Sequence, residues 1–264
     1  MNISGINKYM NFGMKREWID ILISERESFR STSALGNRMI PSAVTWFREA
    51  GLISESTSIM PTKLLEVAAN NGTDADNESF WSMVWIALAN KSPLIKWFVC
   101  STEFVKSYTI ERLDEMLHCS VASDSVRKGA LQSLCSTLKT TPFAGEVAPV
   151  ATIETKGNRV LSISRKPKSI DPFALLFCMY LIGNLTERTS FTVSEMLTAD
   201  FESPFISPLV AFGMTVDEFK AQCLGLSSIR PDFLSCSFTL GLDEIKIFPH
   251  EKSTDDVLGM ILGE

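Results

Sequence analysis

The chain has 264 residues, 45% of them apolar, with 25 Lys and Arg against 31 Asp and Glu for a formal charge of −6. That suits a globular fold with room for one large unit or two to three small ones, and excludes a fibrous or disordered chain. The longest apolar run, residues 173–182, is about half of what a bilayer span needs. The start, MNISGINKYMNFGMKREW, lacks the apolar core and cleavage site of a signal peptide, so the expectation is a cytoplasmic protein with no membrane partner.

Residues 14–24 carry Met14, Trp18, Ile21 and Leu22 at helical spacing. A second helix is expected from about Gly36–Asn37, with Pro41 in its first turn and Gly51 as its stop. An extended stretch, 52–60, follows and completes the order of a helix-turn-helix with a small wing. Residues 78–100 read as two strongly apolar helices broken at Lys91–Ser92–Pro93. Residues 109–118 open with a Thr cap, and 123–137 form the next helix. Residues 150–164 alternate around Lys156–Gly157–Asn158 as a β-hairpin. The third stretch repeats the order more faintly: helices at 171–185, 191–197 and 215–228, a hairpin around Gly241 and a tail helix from Ser253. The fold class expected is mainly α with short β-hairpins, in tandem winged-helix-like units at 1–75, 76–170 and 171–264.

Charge separates these units. Residues 125–170 hold eight basic and two acidic residues, a local net of +6 that leaves −12 on the remainder. Such asymmetry points to a polyanionic partner. In a winged helix the second helix enters the major groove and the wing contacts phosphate or the minor groove. Arg127 and Lys128 fall near the start of that helix, Lys156 and Arg159 at the wing tip, and Arg165, Lys166 and Lys168 beyond it. These seven are the expected nucleic-acid-binding residues. The competing reading is a solvated hairpin whose charges blunt an exposed strand edge. Phe80, Trp81, Trp85, Trp97, Phe98 and Phe104 sit at helical spacing and read as core rather than as a base-stacking array.

No phosphate loop, dinucleotide fingerprint, nucleophile elbow or paired-His zinc motif is present in the sequence. The six cysteines contain no C-x-x-C pair, which argues against a zinc or iron–sulfur centre, and His118 and His250 are the only histidines. His118 reads as a helix C-terminal residue favoured by the helix dipole. The expectation is a protein without enzymatic activity, cofactor or metal.

Residues 10–25 (MNFGMKREWIDILISE) and 35–53 (LGNRMIPSAVTWFREAGLI) carry a likeness, together with LANKSPLIKWFV, FISPLVAFGM and PDFLSCSFTLGLDEI. These segments resemble the C-terminal region of bacterial phosphoadenosine-phosphosulfate-reductase-like proteins. They also resemble, more distantly, a winged-helix family of unknown function from DNA-sulfur-modification and phage-defence clusters. The Ser-Gly-Gly-type phosphate loop and clustered cysteines of the longer proteins are missing, so no catalytic residue carries over. The resemblance implies an accessory piece working beside a sulfur-handling, nucleotide-using or DNA-acting subunit. Three functions are compatible with these residues: a DNA-binding accessory subunit that docks partner proteins, an assembly subunit without DNA affinity, and the non-catalytic half of a split reductase-like enzyme.

Overall fold

In a computed structural model the chain is described over residues 3–239 and 242–264. Its first helices are α1 (Arg16–Glu25), which buries Trp18, Ile19 and Leu22, and α2 (Met39–Glu49), which buries Val44, Trp46 and Phe47. A short 3₁₀ turn, Arg26–Ser31, joins them. Pro41 lies in the first turn of α2, and the chain leaves that helix at Gly51 with φ +74°, a value that favours glycine. The expected wing at 52–60 is reduced to a single antiparallel bridge between Ile53 and Pro61. Helix α3 (Lys63–Asn71) follows it, an element not anticipated from the sequence.

Helix α4 (Glu78–Lys91) is buried along residues 80–89 on all its faces, so its apolar pattern has no polar side to mark a surface. Ser92 ends it and caps α5 (Pro93–Ser101) by accepting from the Ile95 N–H, with Pro93 where no N–H is needed. Of the six aromatics expected in the core, Phe80, Trp81, Trp85, Trp97 and Phe98 are buried and Phe104 is half-buried.

The next segment builds a three-stranded sheet from β1 (Ser107–Thr109), β2 (Ala151–Lys156) and β3 (Arg159–Arg165), ordered β1-β3-β2 and antiparallel throughout. Ile163 pairs with Tyr108 on one side and Ile153 on the other. Between β1 and β2 run α6 (Ile110–His118), capped by Thr109 on the Arg112 N–H, and α7 (Asp124–Thr140). A second sheet repeats the plan. Helix α8 (Pro172–Thr186), N-capped by Asp171, precedes β4 (Ser190–Thr192), α9 (Val193–Met196), α10 (Pro208–Phe212) and α11 (Val216–Ile229). Strands β5 (Leu234–Thr239) and β6 (Leu242–Ile247) complete the sheet in the order β4-β6-β5. The turn expected around Gly241 falls outside the described residues. Helix α12 (Thr254–Leu262) opens with a capping box between Ser253 and Asp256.

Apolar side chains from all three stretches join one core cluster. Helix α4 packs on α8, and α12 packs on both α3 and α8. Lys63 and Glu264 close that last contact at 2.6 Å. No described helix is long and apolar enough to cross a membrane.

Candidate nucleic-acid interface

Helices α6 and α7 and the β2–β3 hairpin surround an open groove of about 750 Å³. Ile110, Leu131, Cys135 and Val160 supply its apolar lining. Glu111, Asp114 and Glu115 line the α6 side, Lys128, Gln132 and Lys139 the α7 side, and Asn158 and Arg159 the hairpin tip. Gly157 makes the tip possible with φ +61°, a left-handed conformation that lets two short strands reverse tightly.

The seven basic residues expected to contact phosphate divide into two groups. Lys128, Lys156, Arg159 and Lys166 are exposed. Arg127, Arg165 and Lys168 are not, and the expectation for these three is corrected. Arg127 is 7% exposed; its guanidinium donates to Asp114 at 3.1 Å and to the carbonyls of Val121 at 3.1 Å and Ala122 at 2.8 Å. It thereby fixes the turn between α6 and α7. Helical phase marks it, because Arg127 recurs with Leu131, Leu134 and Leu138, all buried.

Arg165, at 3% exposure, is the most enclosed of the set. It donates to the carbonyls of Val99 at 2.7 Å, Thr102 at 3.1 Å and Ala211 at 3.1 Å, and also to that of Val210. It therefore ties carbonyls at the end of α5 to carbonyls of α10, where backbone acceptors lack helical partners. Burial pulls its pKa down to about 10. Strand alternation was the missed signal, since Arg165 stands two residues after the buried Ile163. Lys168 keeps only 7% of its side chain exposed, with Nζ 3.8 Å from a Glu78 carboxylate oxygen. Burial lowers its pKa, with Glu78 opposing.

Two of the exposed cations are paired. Lys128 lies 2.8 Å from Asp124, and Arg159 lies 3.1 Å from Glu111. Such surface pairs are weak and yield readily to a competing phosphate. Lys156 and Lys166 have no ion-pair partner among the described residues. Lys139, which sequence reasoning counted only as part of the local charge, reaches the Asn158 carbonyl at 3.3 Å and no carboxylate among the described residues.

No family model and no curated protein matches the chain. Solved structures do match. "Magnesium ion-bound SspB crystal structure" covers 98% of this chain and 87% of its own, at 12% identity and a TM-score of 0.69. "SspB crystal structure" gives the same coverage and identity with a TM-score of 0.68. The class this establishes is one of fold: a mainly α chain with short β-hairpins, similar to SspB over almost its whole length. Among the described residues, no group of three or more His, Cys, Asp and Glu side chains is placed to hold a metal ion, and no residue here is assigned to the magnesium of that neighbour.

Proposed function

We propose that the chain is a non-catalytic accessory subunit of a bacterial DNA-sulfur-modification or phage-defence system, with tandem winged-helix units at 1–75, 76–170 and 171–264. It contacts duplex DNA through the β2–β3 hairpin and the start of α7, and docks a sulfur-handling, nucleotide-using or DNA-acting protein through its acidic remainder. The whole-chain fold likeness to SspB supports the context, as does the resemblance of the sequence to families from such clusters. The observation that carries the DNA contact is the order β1, α6, α7, β2, β3 in one antiparallel sheet unit, with Lys128, Lys156, Arg159 and Lys166 exposed on the second helix, the hairpin tip and the strand exit. These cations touch phosphate; they do not read bases.

The test is anisotropy of labelled duplex and single-stranded oligonucleotides across a salt series. Replacing Lys128, Lys156, Arg159 and Lys166 with Ser should flatten the slope of log affinity against log salt by about one per lost phosphate contact. Binding that is absent at low salt, or a slope indifferent to all four changes, defeats the DNA reading. Arg127, Arg165 and Lys168 are left intact in that variant because they hold the fold.

A second reading, an assembly subunit without DNA affinity, has one observation in its favour. The groove beside α7 pairs its acids with its bases and is floored by apolar side chains, chemistry that suits a protein surface more than a phosphate backbone.

A further inference from the structure

Helix α11 occupies in the second sheet unit the place that α7 occupies in the first, yet its outward face is different. Asp217, Ala221, Leu224, Gly225, Ser228 and Ile229 are exposed along it, and Leu224 and Ile229 are 51% and 76% exposed. After Asp217 this ridge carries no charge. A Cβ built on Gly225 would meet nothing within 4 Å, so the middle of the ridge is low and open to close approach.

The groove beside α7 is the complement of that ridge in three respects. Its floor is apolar where the ridge is apolar. Its length along α7, from Lys128 to Lys139, is roughly 16 Å, and the ridge from Asp217 to Ile229 is roughly 18 Å at the helical rise. Its charge is balanced except at one end. Asp114 meets Arg127, Glu115 meets Arg112 and Asp124 meets Lys128, whereas at the hairpin end Glu111 is taken by Arg159 and Lys139 meets no carboxylate among the described residues. One cation is in excess there, and the ridge carries one uncompensated acid, Asp217, at its start.

We infer that the occupant of this groove is α11 of a second copy of the chain, lying antiparallel to α7 with Asp217 at Lys139 and Ile229 toward Lys128. The contact joins two different surfaces, so each copy keeps one groove and one ridge available, and association proceeds head to tail into a ring or an open filament. A contact of this size lies at the small end of specific interfaces, and the assembly forms at micromolar chain concentrations rather than below them. The inference goes beyond the proposed DNA contact and does not depend on it; the two share Lys128 and Arg159 at the groove, so a seated copy and DNA compete for those cations, whereas Leu224, Ile229, Asp217 and Lys139 belong to the assembly alone and Lys156 and Lys166 to the DNA contact alone.

Sedimentation velocity or light scattering of the full chain, in the absence of DNA, tests it. The mass should rise with concentration and exceed that of a dimer at about 100 μM. Ile229→Glu and Lys139→Glu both alter exposed side chains and leave the fold intact, which circular dichroism verifies. Each variant alone should be monomeric. Mixed in equal amounts they should form a dimer that grows no further, because one supplies an intact groove and the other an intact ridge. Lys139→Glu combined with Asp217→Lys in a single chain should restore the wild-type assembly. A wild type that stays monomeric throughout overturns the inference. So does an assembly unaffected by both variants, or a mixture that remains monomeric.

Discussion

The Arg165 guanidinium carbon lies 3.8 Å from the centroid of the Phe104 ring, stacking distance for a delocalised cation on an aromatic face. That contact, with four backbone carbonyls accepting from the same side chain, makes Arg165 the link between the hairpin and α10. Truncation by Arg165→Ala strands those carbonyls away from water and should destabilise the protein by about 3 kcal/mol or more. Arg165→Lys should recover little, because an ammonium is a point charge that cannot fork between two helices. Urea unfolding of the two variants checks both statements. A loss below about 1 kcal/mol for the alanine variant would return Arg165 to the surface set.

Gly213 sits against the same ring. Its φ is +68°, and an added Cβ would meet three Phe104 ring carbons at 2.8 to 2.9 Å. Gly213→Ala therefore combines a left-handed backbone penalty with a clash against a side chain pinned by Arg165, and should cost about 2–4 kcal/mol. Gly225→Ala in α11, with open space around its Cβ, should be neutral or stabilising, since alanine is the better helix former. Thermal unfolding of the pair separates the two cases.

Acid and alkali should act unequally on the first helices. The Tyr9 hydroxyl donates to Glu49 at 2.7 Å and lies 2.5 Å from the Ser92 hydroxyl, and Lys8 pairs with the same carboxylate. Burial raises the Glu49 pKa, while the hydrogen bonds and charge of Lys8 and the hydroxyls act the other way. A carboxyl whose pKa is raised on folding binds more protons in the folded state. Its contribution is therefore most favourable at low pH and declines as pH rises through the raised value. Denaturant midpoints between about pH 4 and pH 7 should show that decline superimposed on other titrations. Glu49→Gln should flatten it, and parallel curves for the two proteins would refute this account.

Thiol reactivity should single out one position. Cys119 is exposed, whereas burial pushes the Cys135 and Cys100 thiols up to about 11 and raises Cys178 and Cys223 as well. The thiolate is the reactive form. Alkylation at about pH 8 should modify Cys119 well before the others, as read by peptide mass spectrometry. In the head-to-tail assembly Cys135, on the groove floor, should be shielded further.

Helix ends and hairpins were legible because their signals are local. Asn77, Ser92, Thr109, Asp171 and Ser253 cap as their residue types suggest, and Gly157 turns the first hairpin. The third strand of each sheet was not legible: β1 and β4 are three residues long, too short for an alternating pattern, and exist only because β3 and β6 offer them an edge. Helix α3 was passed over, since the expected wing ended at residue 60 and no element was read between it and residue 78, although its KLLEV pattern buries Leu64, Leu65 and Val67.

The site was half legible for a related reason. Composition counts Arg165 and Lys166 alike, but the strand turns one into the core and the other into water. Only side-chain phase separates them, and reading phase required setting aside the prior that an arginine faces out. The groove was invisible because Ile110, Leu131, Cys135 and Val160 come from three elements and converge only in the fold.

Helix α4, sheathed on every side by its neighbours, also orders the ways in which the molecule comes apart. Its amide hydrogens should exchange with solvent only when the surrounding layers have opened, so in heavy water it and its packing partner α8 should be the last to take up deuterium. Severing the chain at 75/76 or 170/171 would leave that helix or its partner with a bare apolar flank. The sequence reads as three consecutive units, yet their apolar side chains meet in one core, so melting, exchange and proteolysis should all report a single slow centre.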